Sequence, residues 1–136
     1  MKIFFKDFNF STKEKTELLD ITNFIANFVF ECRVNSGICI IYSPHSTTAL
    51  IVNEHEKGLI KDIISKISEE FPRDKDWLHN QIDNNASSHI ASAFLDSSRI
   101  FPIRNDHLAR GTWQNIFLLE LDGPRKRNVV CEVIGE

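Results

Sequence analysis

The residues best suited to chemistry begin at Ser43-Pro44-His45-Ser46-Thr47-Thr48. An imidazole and four hydroxyls follow a β-branched run, Ile38-Cys39-Ile40-Ile41-Tyr42, and precede a second, Ala49-Leu50-Ile51-Val52. A strand end places such groups at a surface mouth. Glu54, after Asn53, closes the second run. It can act as a general base, hold a histidine tautomer, or pair with a cation at a strand end. A Ser/Thr-rich turn with an incidental histidine explains the same stretch equally well. A second polar segment, Arg73 to Asn85, carries Trp77, His79, Asp83, Asn84 and Asn85 without periodicity. Loops of that length are often functional.

These groups need elements to position them. Ile3 to Phe10 alternates with Phe4, Phe8 and Phe10 on one face, and Lys6 on that face marks an edge or a subunit contact. Lys15 to Leu19 reads as a weaker strand. Ile21, Phe24, Ile25, Phe28 and Val29 recur at helical spacing, with Asp20 or Thr22 as cap. Leu59, Ile60, Ile63, Ile64 and Ile67 form the clearest amphipathic helix, stopped at Phe71-Pro72. A short third helix spans Ser87 to Leu95, capped by Asn85 or Ser87, with His89 in its first turn near the positive dipole end. Ile100 to Ile103 is interrupted by Pro102 and so reads as an edge strand. Trp113 to Leu121 is a long strand with Ile116, Leu118 and Glu120 on one face and Phe117, Leu119 and Leu121 on the other. Asp122-Gly123-Pro124 turns the chain and is its most specific hairpin signal, with Arg127 to Ile134 returning as the last strand. Strands at both ends with two main helices and a short third helix between them specify an α+β fold. Its sheets should be largely antiparallel, in one compact domain covering residues 1–136.

The totals exclude several classes. The 136 residues suit one core, and 42% hydrophobic content is a globular value that argues against disorder. A net charge of -3 gives no bias toward nucleic acid or anionic membrane, and no apolar run approaches the roughly 20 residues of a spanning helix. No long apolar segment follows Lys2 and Lys6, so a secretory leader is not expected. Cys32, Cys39 and Cys131 form no CxxC pair and lie in apolar segments. They read as core thiols in a reducing compartment, and the cytoplasm is the expected location. No P-loop, dinucleotide fingerprint or GxSxG motif occurs.

Four segments taken together resemble one family: His45-Ser46-Thr47-Thr48-Ala49 with Asn53-Glu54, Trp77-Leu78-His79-Asn80, Asp83 through Ser88-His89-Ile90, and Gly111-Thr112-Trp113-Gln114-Asn115-Ile116. Asp122-Gly123-Pro124-Arg125 with the strand after it fits as well. The chain is similar to the YjbQ family of secondary thiamine-phosphate synthases over nearly its whole length. It departs from the family pattern at Asn84-Asn85, His107, Arg110 and Asn115.

The resemblance implies a homotrimer acting on a phosphorylated small molecule, joining a pyrimidine diphosphate to a thiazole phosphate with release of pyrophosphate. It puts His45, His79 and His89 on family positions, where three neutral imidazoles suit zinc or a similar divalent metal. His45, Glu54 and His89 are then the expected catalytic residues. For substrate, Ser88 and Asn85 stand at a helix start that can bind phosphate or merely be capped. Arg104 and Arg125 are candidate phosphate clamps, although Arg125-Lys126-Arg127 also reads as a solvated turn. Trp113 and Gln114 line a pocket, or Trp113 serves the core or an interface. His55 and His107 are expected at the surface. A trimer that binds a metal or phosphorylated ligand without turnover is the alternative reading.

Overall fold

The computed structural model describes all residues, Met1–Glu136. Its element order is β1 (Lys2–Ser11), β2 (Glu17–Asp20), α1 (Thr22–Glu31), β3 (Ser36–Tyr42), β4 (Thr48–Asn53), α2 (Lys57–Glu70), a 3-10 turn (Leu78–Gln81), α3 (Ala86–Leu95), β5 (Ser98–Arg104), β6 (His107–Leu108), β7 (Asn115–Glu120) and β8 (Lys126–Gly135). Two sheets form, ordered β1-β8-β3-β5-β6 and β2-β7-β4, and every pairing is antiparallel. The fold is α+β.

Strand alternation decides the layers. The inward residues of β8, among them Val129, Cys131 and Val133, meet Ile116 and Leu118 of β7 and Leu50 of β4 in the core between the sheets. Ile21, Ile25 and Val29 of the α1 stripe close that core, as their helical spacing requires. The other face of β7, Leu119 with Leu121 just beyond it, packs with Ala49, Ile67 of α2 and Ala91 of α3. β7 is therefore covered on both faces, which is why its sequence is an almost unbroken apolar run. Cys32, Cys39 and Cys131 are buried free thiols. No helix is long and apolar enough to cross a membrane.

Several expectations need correction. The turn at Asp122-Gly123-Pro124 makes no hairpin, because β7 pairs with β2 and β4 while β8 crosses to the other sheet between β1 and β3. The second strand begins at Glu17 instead of Lys15, because Glu17 accepts hydrogen bonds from the Lys13 and Glu14 amides and makes a turn there. Neither Asp20 nor Thr22 holds the cap position of α1, which is Ile21, although Asp20 Oδ1 does accept the Thr22 amide at 2.9 Å. The third helix is no shorter than α1, at 10 residues each. Asn85 occupies its cap position without a side-chain cap bond; the acceptor for the Ala86 amide is Asn80 Oδ1, at 3.1 Å. Trp113 lies before β7 and is 70% exposed, so it belongs to no core. Lys6 does sit on an edge strand, since β1 ends the five-stranded sheet. β5 has a free edge over most of its length, because β6 pairs only with Ile103 and Arg104. That is the edge position Pro102 calls for.

Candidate functional site

The turn between β7 and β8 gathers most of the polar chemistry. Glu120 points into the inter-sheet core with Ile116 and Leu118 and is fully buried. A buried carboxylate must be paired. Arg127 supplies the partner, with Nε 2.8 Å from Oε1 and Nη2 on Oε2, while Thr12 Oγ1 donates to Oε1 at 2.7 Å. The amides of Leu121 and Asp122 each donate to Oε2 at 3.1 Å. Burial opposes ionisation of Glu120, but the bonds from Arg127 and Thr12 outweigh it and hold the carboxyl below its ordinary value. Arg127 also reaches Thr47 Oγ1 at 2.8 Å, tying the β3–β4 connection to the turn.

His45 hangs over the same pair. Its Nε2 accepts the Asn128 amide at 2.9 Å, so the neutral ring carries its proton on Nδ1. Burial, then the Arg127 charge, push its pKa below the usual histidine value and keep it neutral.

Asp122 organises the outer part. Its Oδ1 takes the Lys15 ammonium, and its Oδ2 accepts from Asn85 Nδ2 at 2.9 Å and Arg125 Nη2 at 3.0 Å. Burial works against the charge, yet the bonds from Lys15, Asn85 and Arg125 bring the pKa down to about 2. A carboxylate only accepts, so the Asn85 amide must turn its nitrogen toward Asp122 and its oxygen toward His79. That oxygen lies 3.1 Å from His79 Nε2, which must then be the donor. His79 is thereby fixed with its basic lone pair on Nδ1. Its ring meets His89 edge to face, with centroids 4.9 Å apart. The turn itself needs Gly123, because a Cβ there would lie 2.3 Å from the Glu14 carbonyl oxygen.

The expected site residues divide accordingly. His79, His89, Asn85, Ser88 and Arg125 come together around the turn, with His45 on its inner side. Asn85 is spent on Asp122 and His79, and the Ser88 hydroxyl donates to the Leu121 carbonyl at 2.6 Å, so both hold the frame. Glu54 follows the far end of β4, a strand of six residues, or about 20 Å. The carboxylate beside His45 is Glu120. Trp113 and Gln114 sit at that far end too, since Asn115 pairs with Asn53; Gln114 Oε1 accepts the Gly111 amide at 2.8 Å. Arg104 ends β5 opposite Ser36, at the reverse end from the Ser98–Tyr42 pair that leads toward His45. His55 is exposed as expected and contacts Asp20 Oδ2 at 2.6 Å; His107 is exposed as well.

The expected zinc site does not fit the chain's own geometry. No group of three His, Cys, Asp or Glu side chains is arranged to hold a metal ion. With Nε2 engaged and Nδ1 protonated, His45 has no lone pair to offer. Lys15, Glu120, Asp122 and Arg127 were missed as site residues. Glu120 had a signal: a charge on the Ile116–Leu118 face of a strand buried on both sides. Arg127 reads as part of a basic turn, yet it is 5% exposed.

The bonds that hold Asp122 ionised have a measurable consequence. A folded pKa below the ordinary value stabilises the fold fully above that ordinary value and ceases to do so as pH falls toward the folded one. Asp122→Asn should cost about 2 kcal/mol at pH 7. The gap between wild type and variant in urea unfolding should close between about pH 5 and pH 2. A gap independent of pH would contradict the assigned charge.

An α+β fold with two stacked antiparallel sheets and a histidine pair at one sheet end defines the class of protein. Residues 6–136 match the model of the UPF0047 protein YjbQ-like family, and the chain belongs to that family. It is 38% identical over 136 residues to a UPF0047 protein of Methanothermobacter thermautotrophicus, covering 100% of this chain and 95% of the relative. UPF0047 protein YugU of Bacillus subtilis is 30% identical, covering 96% of this chain and 98% of the relative. Among solved structures, a YbjQ-like protein from Sulfolobus solfataricus P2 superposes with a TM-score of 0.98 at 47% identity, covering 99% of each chain.

Proposed function

We propose that the protein carries out group transfer on a phosphorylated small molecule at the β7–β8 turn. The specific reaction is that of a thiamine-phosphate synthase: a pyrimidine diphosphate joins a thiazole phosphate and pyrophosphate leaves. The supporting observation is the His79–His89 pair, with His79 oriented by Asn85 and Asp122 so that a basic nitrogen stays free. Such a nitrogen can carry a proton to the departing pyrophosphate, since the attacking thiazole nitrogen has none to lose. Lys15 and Arg125 bring positive charge to the same rim, which favours a departing polyphosphate. The choice of substrates rests on family resemblance. No step is assigned to a metal, because the donor set does not form a site within the chain. Product formation from the two substrates, with His79→Ala alongside, tests the reading; saturable binding with no product would leave a binding protein.

The assembly proposed with this function is a homotrimer, and the outer face of the five-stranded sheet supports it. Register puts Ile3, Ile134, Ile38 and Pro102 in one row across β1, β8, β3 and β5. The next row is Phe5, Glu132, Ile40 and Ile100. Phe5 is 72% exposed and Ile100 64%, so the face lacks a cover within the chain. Contiguous apolar surface of this kind marks an interface. Light scattering should give three times the 15.7 kDa chain mass, and Phe5→Glu should reduce it to one. A wild-type monomer at micromolar concentration would refute the trimer.

A further inference from the structure

A cavity of about 130 Å³ opens between the end of α2 and the start of α3. Ile67, Phe71, Ala91 and Leu121 give it an apolar floor; Thr16, Ser68, Arg73 and Ser87 give it a polar rim. Its size approaches the ~150 Å³ of an engineered protein cavity that admits benzene.

Ser87 points to the kind of occupant. The residue is 4% exposed and lines the cavity, yet its hydroxyl makes no hydrogen bond within the chain. Its amide is one of the four at a helix start with no intrahelical acceptor. The Ala86 amide uses Asn80 Oδ1, and those of Ser88 and His89 use the Asn85 carbonyl. Ser87 alone keeps both donors open. Arg73 is anchored at the rim by Nη2, which donates to the Leu121 carbonyl at 3.0 Å and to Thr16 Oγ1 at 3.4 Å. Its Nε and Nη1 remain available. Glu69 and Glu70 at the end of α2 share Lys66 and do not line the cavity, and none of the lining residues is acidic. The rim is thus a set of donors without a fixed acceptor charge, beside the positive end of the α3 dipole.

We propose that this cavity binds an oxyanion carried on an apolar body about the size of a benzene ring, as a phosphate monoester or a carboxylate. Arg73 and Ser87 hold the oxyanion, and the floor takes the apolar body. The site is separate from the histidine pair: Ser87 and His89 are two residues apart, about 200° around the helix. It stands whether or not the histidines perform transfer.

Calorimetric titration of the intact protein with phenyl phosphate, benzoate and benzyl alcohol tests this. Saturable binding of phenyl phosphate or benzoate is expected, and whichever binds more tightly identifies the headgroup. Arg73→Gln and Ser87→Ala should each weaken it about tenfold or more, as expected for losing a hydrogen bond to a charged group. Ser87→Ala leaves the Arg73 anchor in place, and His79→Ala should leave affinity unchanged. No saturable binding of either oxyanion at millimolar concentration would overturn the proposal. So would benzyl alcohol binding as tightly, or affinities that Ser87→Ala and Arg73→Gln do not alter.

Discussion

Arg127→Ala is expected to destabilise the fold by about 3–5 kcal/mol, with a fall in melting temperature of about 10 °C or more. Glu120 is fully buried and Arg127 nearly so, and removing the guanidinium leaves a carboxylate inside the core. The remaining partners, the Thr12 hydroxyl and two amides, cannot neutralise it. Replacing both members with apolar residues, Glu120→Leu with Arg127→Met, should recover much of the loss, because the desolvation cost of the pair goes with it. Urea unfolding of the two variants provides the check. A loss below about 1 kcal/mol for Arg127→Ala would be the behaviour of a solvated pair and would contradict the burial.

His79→Ala should reduce transfer by about 10²- to 10⁴-fold, the range of a positioned proton-transfer group. The ring is exposed, and its one hydrogen bond is to Asn85, so its removal should barely change stability. Asn85→Leu should lower transfer less and stability more, because it unties His79 and leaves Asp122 with one partner fewer. Rates and unfolding curves measured on both variants separate the two effects. Equal activity in wild type and His79→Ala would remove this imidazole from the mechanism.

Much of the architecture was legible because it follows from local periodicity. The α1 stripe and the alternation in β7 name the core residues on each face, and even Glu120 falls on its observed face. The site was less legible because its contacts are long-range. Arg127 looks like surface in Arg125-Lys126-Arg127 until β8 returns it beside Glu120, where register carries it inward. Glu54 and His45 flank one strand, which left one shared site or two separate ones open, and the six residues of β4 keep them apart. Asn85 fits the pattern of a cap, yet Asp122, 37 residues on, claims its amide. Capping passes to Asn80, in a polar segment whose sequence suggested function and gave no sign of a cap.

The most direct measurement is pyrophosphate release by the purified, assembled wild-type protein supplied with both the pyrimidine diphosphate and the thiazole phosphate. The proposed function predicts release that needs both substrates, matches thiamine phosphate formed, and collapses in His79→Ala. Release no faster than in a blank without protein, from a correctly folded sample, would contradict it.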